Sequence, residues 1–295
     1  MSSSRHHHSS AESKSQKFWR SFLAFMLFLS VSALSLTLCV RMYFINDSTV
    51  ADIFCNRQYV QAVQNDVLDF AEDLSDLALL PTDGVDEVIT YDTIYEIENA
   101  YAHGVLGNSE QFTATTYQDY IADLNEELLQ KMDEMIAKDQ IRIDSVAQDA
   151  EQQYVDNITN YLQYRVEFPF MDKLATVVNI ARTATLVAAA VFGVLSFLLI
   201  LIVPSIGERS KQYRAVREIA YAFLSAGLLN LCLAGGVEIV KHMKTLVLYP
   251  TYLSDSIMRY VNSCIGVVCI SSAALLLCAL VIITIVWKIK RKNTV

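Results

Sequence analysis

The chain has 295 residues, 53% of them hydrophobic, a mean hydropathy of +0.32 and a formal charge of −9. A soluble domain is about 45–50% apolar, and here the excess is gathered into four uncharged runs, which argues against a single soluble globular domain. The acidic balance argues against nucleic acid as a partner.

In chain order, residues 1–17 form a Ser-rich tail holding "RHHH", expected to be disordered rather than a metal site. Ser21 to Val40 is the first run without charge; Thr183–Gly207, Ile219–Val237 and Tyr260–Trp287 are the others. A helix needs about 20 apolar residues to cross about 30 Å of hydrocarbon, and a helix satisfies all its backbone polar groups within one segment. The expected fold is therefore all-α and integral to the membrane. Four transmembrane helices, over 18–45, 173–206, 219–240 and 260–287, carry a helical bundle inserted between the first and second. The first run exceeds the apolar core of about 7–15 residues expected of a signal peptide, and no A-x-A site follows. "SLTLC", ending at Cys39, has Leu38 where a lipoprotein cleavage box needs a small residue. That run is read as a retained span.

Positive charge then sorts by side. Arg5, Lys14, Lys17 and Arg20 precede span one; Arg209, Lys211, Arg214 and Arg217 fall in the basic loop 207–218. Lys288, Lys290, Arg291 and Lys292 close the chain in the tail 288–295. Alternating spans put these three segments on one face, and Lys/Arg-rich short loops mark the cytoplasmic side. Arg20, the four loop cations and the four tail cations are thus read as topology anchors, with both termini cytoplasmic. The short loop 241–259 on the other face holds Lys241, Lys244 and Arg259. Residues 46–172 become extracytoplasmic, with 27 Asp and Glu against five Lys and Arg, a net of −22. Such a field favours cations or basic partners.

The periodicity of 46–172 is helical. Val50, Ile53, Phe54, Val60, Val63, Val67, Phe70, Leu74 and Leu77 recur at three and four up to Pro81, with Thr49 and Asp52 placed as a capping box. Asp66, Asp69, Glu72, Asp73 and Asp76 collect on the opposite face. After the turn "PTDGVDE", a second helix is predicted over Tyr91–Val105, a third from Thr115–Thr116 through Ile136, and a fourth from near Ser145 to Val166. Helices one and four are expected to continue from span one and into span two.

Chemistry-bearing motifs are sparse. Cys39, Cys232, Cys264, Cys269 and Cys278 fall in spans, and only Cys55 lies in 46–172, so no internal disulfide framework is expected. His103, beside Gly104, is read as a helix-end dipole partner rather than a catalyst. Nucleophile-elbow, zincin, Walker and dinucleotide motifs are absent, as is a calcium loop, so no enzyme activity, metal or cofactor is expected. The abundant tyrosines are read as core residues with edge-facing hydroxyls. Within the spans, Asn230, Gly227, Ala189 and Gly193 suit close helix–helix contact, and Arg182 is shallow enough to snorkel.

One span, a large outer domain, then three spans with both ends inside: this order resembles the permeases of the macrolide-exporter and lipoprotein-releasing type. "GERSKQYRAVRE" stands where their loop lies, and "IAYAFLSAGLLNLCLAGGV", with its "FL" and paired Gly235–Gly236, is similar to their third span. That resemblance implies a separate cytoplasmic ATPase moving the outer domain, and a mixed α/β outer domain that the helical spacing here does not predict. "YRAVREIAYAFLSAGLL" and the Tyr- and Asp-rich helical domain are also similar to uncharacterised four-span membrane proteins of Gram-positive-type bacteria, which implies architecture alone. Two functions follow as expectations. The first is a non-enzymatic envelope protein whose acidic outer domain binds a protein partner or senses a condition, with the lipid bilayer as its other partner. The alternative is a permease-like subunit driven by an ATPase partner.

Overall fold

The structure, a computed structural model, describes residues 14–78, 84–106, 114–138, 145–168, 170–206, 212–243 and 250–292. Among the described residues every regular element is helical and no strand occurs. The helices are α1 (Lys14–Cys39), α2 (Asp47–Cys55), α3 (Arg57–Ala78), α4 (Val85–Val88) and α5 (Tyr91–Leu106). They continue with α6 (Ala114–Lys138), α7 (Ser145–Val166), α8 (Met171–Ser205), α9 (Gln212–Met243) and α10 (Thr251–Lys292). Four segments are long and apolar enough to cross a membrane: Lys17–Phe44, Lys173–Ser205, Tyr213–Lys241 and Thr251–Lys288. Arg209, Lys211, Pro81 and Pro169 lie outside the described residues.

The chain divides into two compact units. One comprises Met1–Tyr43, Thr183–Thr245 and Ser263–Val295, and holds most of the four long apolar helices. Its core sets Leu27 and Val31 of α1 against Leu199 and Val203 of α8 and Ala215, Ile219, Ala222 and Ala226 of α9. The small residues of α9 let α1 approach closely, which is how helices gain packing where lipid removes the hydrophobic drive between them. Val191, Val194, Phe197 and Leu201 of α8 stay exposed, as side chains facing hydrocarbon do. An open groove of about 400 Å³, lined by Leu34, Leu38, Phe197, Phe223 and Leu275 among others, is largely apolar, with Ser35, Ser196 and Ser271 in its wall. The segment read as a basic loop is shorter than expected: α9 starts at Gln212, so Arg214 and Arg217 sit in its first two turns. "QYRAVRE" contains neither Gly nor Pro, and Ala215 is buried in the core, so nothing in it resists helix.

The other unit comprises Phe44–Arg182 and Leu246–Asn262. α3, α5, α6 and α7 bury one stripe each: Val60, Val63 and Val67; Ile94, Ile97 and Ala100; Leu124, Leu128 and Met132; Val155, Ile158 and Leu162. Tyr154 donates its hydroxyl to the Ala71 carbonyl at 3.0 Å, and Phe70 stacks on Tyr161 with centroids 4.0 Å apart. Arg165 pairs with Asp66 at 2.8 Å, which withdraws Asp66 from the solvated acidic row. Gly84 has a positive φ of 97°, and a Cβ there would stand 2.7 Å from Lys131 Cε, so the turn before α4 needs glycine.

Three breaks differ from the expected continuity. A π-helical turn, Val40–Phe44, ends α1, and Asn46 then takes an extended conformation and accepts from the Ser48 amide at 3.1 Å. The cap of α2 is therefore Asn46, not Thr49. Asn56 separates α2 from α3: its Nδ2 donates to the Ile53 carbonyl at 2.9 Å while its Oδ1 accepts from the Tyr59 amide at 3.1 Å, closing one helix and opening the next. α7 stops at Val166 and α8 starts at Met171.

The short loop after span three is also more than a connection. α10 has 42 residues, about 63 Å at 1.5 Å per residue, twice the span that about 30 Å of hydrocarbon requires. Its turns up to Asn262 are part of the helical unit. Leu253 is buried there, and Tyr252 meets Tyr59 edge-on at 5.2 Å. Ser256 Oγ accepts from Asn56 at 3.0 Å. Arg259 donates to Gln58, and Tyr260 to the Phe44 carbonyl. Arg182, in α8, pairs with Asp47 at the start of α2.

Candidate functional site

α5 reads "YDTIYEIENAYAHGVL" and turns Ile94, Ile97, Ala102 and Leu106 inward. Glu98 lies four residues after Ile94 and four before Ala102, so helical geometry carries it into the core with them. Its exposure is 0%, and neither carboxylate oxygen has a hydrogen-bond partner among the described residues. An ionised carboxylate taken out of water without a partner is penalised by several kcal/mol, roughly, even after relaxation. Burial accordingly holds the Glu98 carboxyl well above the usual range. The neutral acid is the form that this burial favours.

The groups around Glu98 come from five elements. Cys55 stands at the end of α2, and its thiol is raised by burial, then by Glu98 and Asp52. Tyr59 on α3 is raised by burial, then by Glu98, Tyr252 and Cys55, with Arg165 of α7 opposing. Tyr117 on α6 is raised by burial, then by Glu167 and Glu98. Tyr252 on α10 completes the set through its ring contact with Tyr59. Of these groups Arg165 is the one cation, and it is committed to Asp66 and to the Tyr161 hydroxyl. A second inward acid, Glu151 on α7, is 4% exposed and is raised by burial and then by Asp133.

Among the described residues no group of three or more His, Cys, Asp or Glu side chains is close enough to hold a metal ion. His103 sits in the last turn of α5. The chemistry this constellation offers is proton binding and release at a core position beside Tyr59 and Tyr117.

The residues singled out from sequence fall elsewhere, in the long-helix unit. Asn230 is fully buried and accepts from Ser32 of α1 at 2.6 Å, with its Nδ2 unsatisfied among the described residues. Gly227 lies against α10: a Cβ there would be 2.9 Å from Leu276 Cγ and 3.0 Å from the Ser272 carbonyl. At Gly193 the nearest atom to an added Cβ is Leu34 Cδ1, at 4.0 Å, and Ala189 is half-buried. Hydroxyl pairs join α1 to its neighbours, Ser30 with Ser196 at 2.8 Å and Ser35 with Ser271 at 2.7 Å.

Arg20 is 7% exposed and pairs with Glu218 at 2.7 Å, so its charge is matched inside the unit. Arg214 lies over the Tyr213 ring and Arg217 over Tyr221, at 5.9 and 5.8 Å. Lys288 and Lys290 are exposed, and Arg291 and Lys292 are the last residues of α10.

Sequence reasoning missed Glu98. The signal is in the spacing, since that residue falls on the inward stripe of α5 between Ile94 and Ala102, while the acid-rich composition of the segment masks it.

Compared with family models, curated proteins and solved structures, the chain matches none. What the fold defines is a class: an all-helical protein with four helices long and apolar enough to span a membrane.

Proposed function

We propose that this chain is a non-enzymatic multi-pass protein of the cell membrane, with both termini cytoplasmic and the helical unit outside, where it senses a condition or binds a partner. The sorting of Lys and Arg supports the orientation. The observation that carries the function is Glu98. A core carboxylate without a partner weakens a bundle relative to an apolar residue of its size, and strongly perturbed acids collect at sites that act. The all-helical unit does not favour the permease-like alternative, which draws on a family with strands in that position.

Placement is tested by Asp69→Cys, on the exposed face of α3, in intact cells treated with a membrane-impermeant thiol reagent. Labelling of intact cells is expected; labelling only after permeabilisation contradicts the placement. Crosslinking in the same cells tests the partner class. Stoichiometric recovery of an ATPase, lost in Arg214→Glu/Arg217→Glu, would replace this reading with the permease-like one.

A further inference from the structure

The helical unit holds a titratable group in a position that only its neutral form tolerates. We propose that Glu98 is a proton-binding site that switches this unit: protonated, it lets α5 pack on α2 and α3, and proton loss loosens that packing together with the first turns of α10. The proposal rests on the sensing function put forward above and names the condition sensed as proton activity.

Three features on the page support it. Both carboxylate oxygens are enclosed and, among the described residues, unpartnered, so no hydrogen bond from these residues compensates ionisation. The groups facing the site are Asp52 and Cys55 from α2, Tyr59 from α3, Tyr117 from α6, Arg165 from α7 with Glu167 just beyond its end, and Tyr252 from α10. Two of these are acids, three are neutral phenols whose ionisation a new anion disfavours further, and the one guanidinium is held by Asp66 at 2.8 Å. The site is also a junction. Tyr59 touches Tyr252 on one side and Phe54 on the other, at 5.2 and 5.8 Å. Asn56, between Cys55 and Tyr59, ties the α2–α3 corner to Ser256 of α10. An anion forced toward water at Glu98 has to move the elements that meet at this corner.

The reaction is a simple one: the carboxyl O–H bond breaks, the proton passes to water or buffer, and a carboxylate remains. The direction follows from the raised carboxyl. The unfolded chain releases this proton near the usual 4.5, and the folded unit releases it only at higher pH. Packing is therefore strongest below that value. It weakens tenfold in equilibrium constant per pH unit until the folded group has also ionised.

Cys55 is a native reporter, half-buried beside the site. The experiment measures alkylation of Cys55 by N-ethylmaleimide, followed by peptide mass spectrometry, in the full chain in lipid nanodiscs across a pH series. Wild type, Glu98→Gln and Glu98→Leu are compared. Thiol ionisation raises the rate in all three, and an ionised Glu98 holds the thiol higher in the wild type alone, so without opening the ratio of wild type to variant stays at or below one and a climb reports opening. A ratio near one at acid pH that climbs at least tenfold with rising pH is expected, the same against both variants. A ratio that stays flat overturns the switch. If neither variant folds, hydrogen exchange of α5 amides in the wild type decides: protection that does not fall with pH, after correction for intrinsic exchange, also overturns it. A flat ratio leaves the surface-labelling result standing. Failed surface labelling leaves the pH profile standing.

Discussion

Ser32 on α1 donates its hydroxyl to the side-chain carbonyl of Asn230 on α9 at 2.6 Å, and both residues are buried within the long-helix unit. Interhelical hydrogen bonds of this kind contribute roughly 0.6 kcal/mol on average within membranes. Ser32→Ala leaves the amide with both ends unsatisfied, and is expected to destabilise by about 1 kcal/mol. Ser32→Ala/Asn230→Leu removes the whole polar pair and should recover most of that loss. Thermal unfolding of the purified protein in detergent measures both, and a double variant less stable than the single would mean that the bond is not the operative contact.

Gly227 is a place where α9 meets α10 without room for a side chain. An added Cβ would stand 3.0 Å from the Ser272 carbonyl, a backbone atom, and 2.9 Å from Leu276 Cγ. Gly227→Val is expected to destabilise by about 1–3 kcal/mol through overpacking. Gly235, with nothing within 4 Å of an added Cβ, is the control: Gly235→Ala should be neutral or slightly stabilising, since alanine is the better helix former. Equal losses at the two positions would show that α9 and α10 do not approach at Gly227.

Arg20 and Glu218 pair at 2.7 Å with side chains 9% and 15% exposed. Removing one partner leaves an uncompensated charge. Arg20→Met is expected to destabilise by about 3 kcal/mol, whereas Arg20→Met/Glu218→Met should lie close to wild type. Chemical unfolding of these three species and of Glu218→Met gives the coupling directly. Additive losses would mean that the two charges do not interact.

These contacts show how far the sequence is informative. The length of each uncharged run placed the four long helices, because crossing hydrocarbon sets a minimum that no soluble helix needs to meet. Period also located α5 and α7 to within a residue. It could not break the helix at Asn56, because the apolar stripe runs unbroken from Val50 to Leu77 and only side-chain capping parts it. Nor could it assign Tyr252, Ser256 and Tyr260 to the helical unit, because their partners lie about 200 residues earlier, as the separations of 200 and 216 for Ser256 and Tyr260 show. Glu98 was hidden for a different reason. In an acid-rich segment one more carboxylate looks solvated until the face it occupies is counted.

The most direct measurement is the equilibrium stability of the full chain in nanodiscs against pH, wild type beside Glu98→Gln. Burial raises both Glu98 and Glu151, so each adds stability below the usual carboxyl range that is lost as pH rises through its folded value. Wild-type stability should fall with pH above about 4.5, at up to about 1.4 kcal/mol per pH unit for each group. Glu98→Gln should remove one group's share of that slope and be the more stable protein at alkaline pH. Superimposable profiles for the two proteins would contradict a buried, proton-holding Glu98.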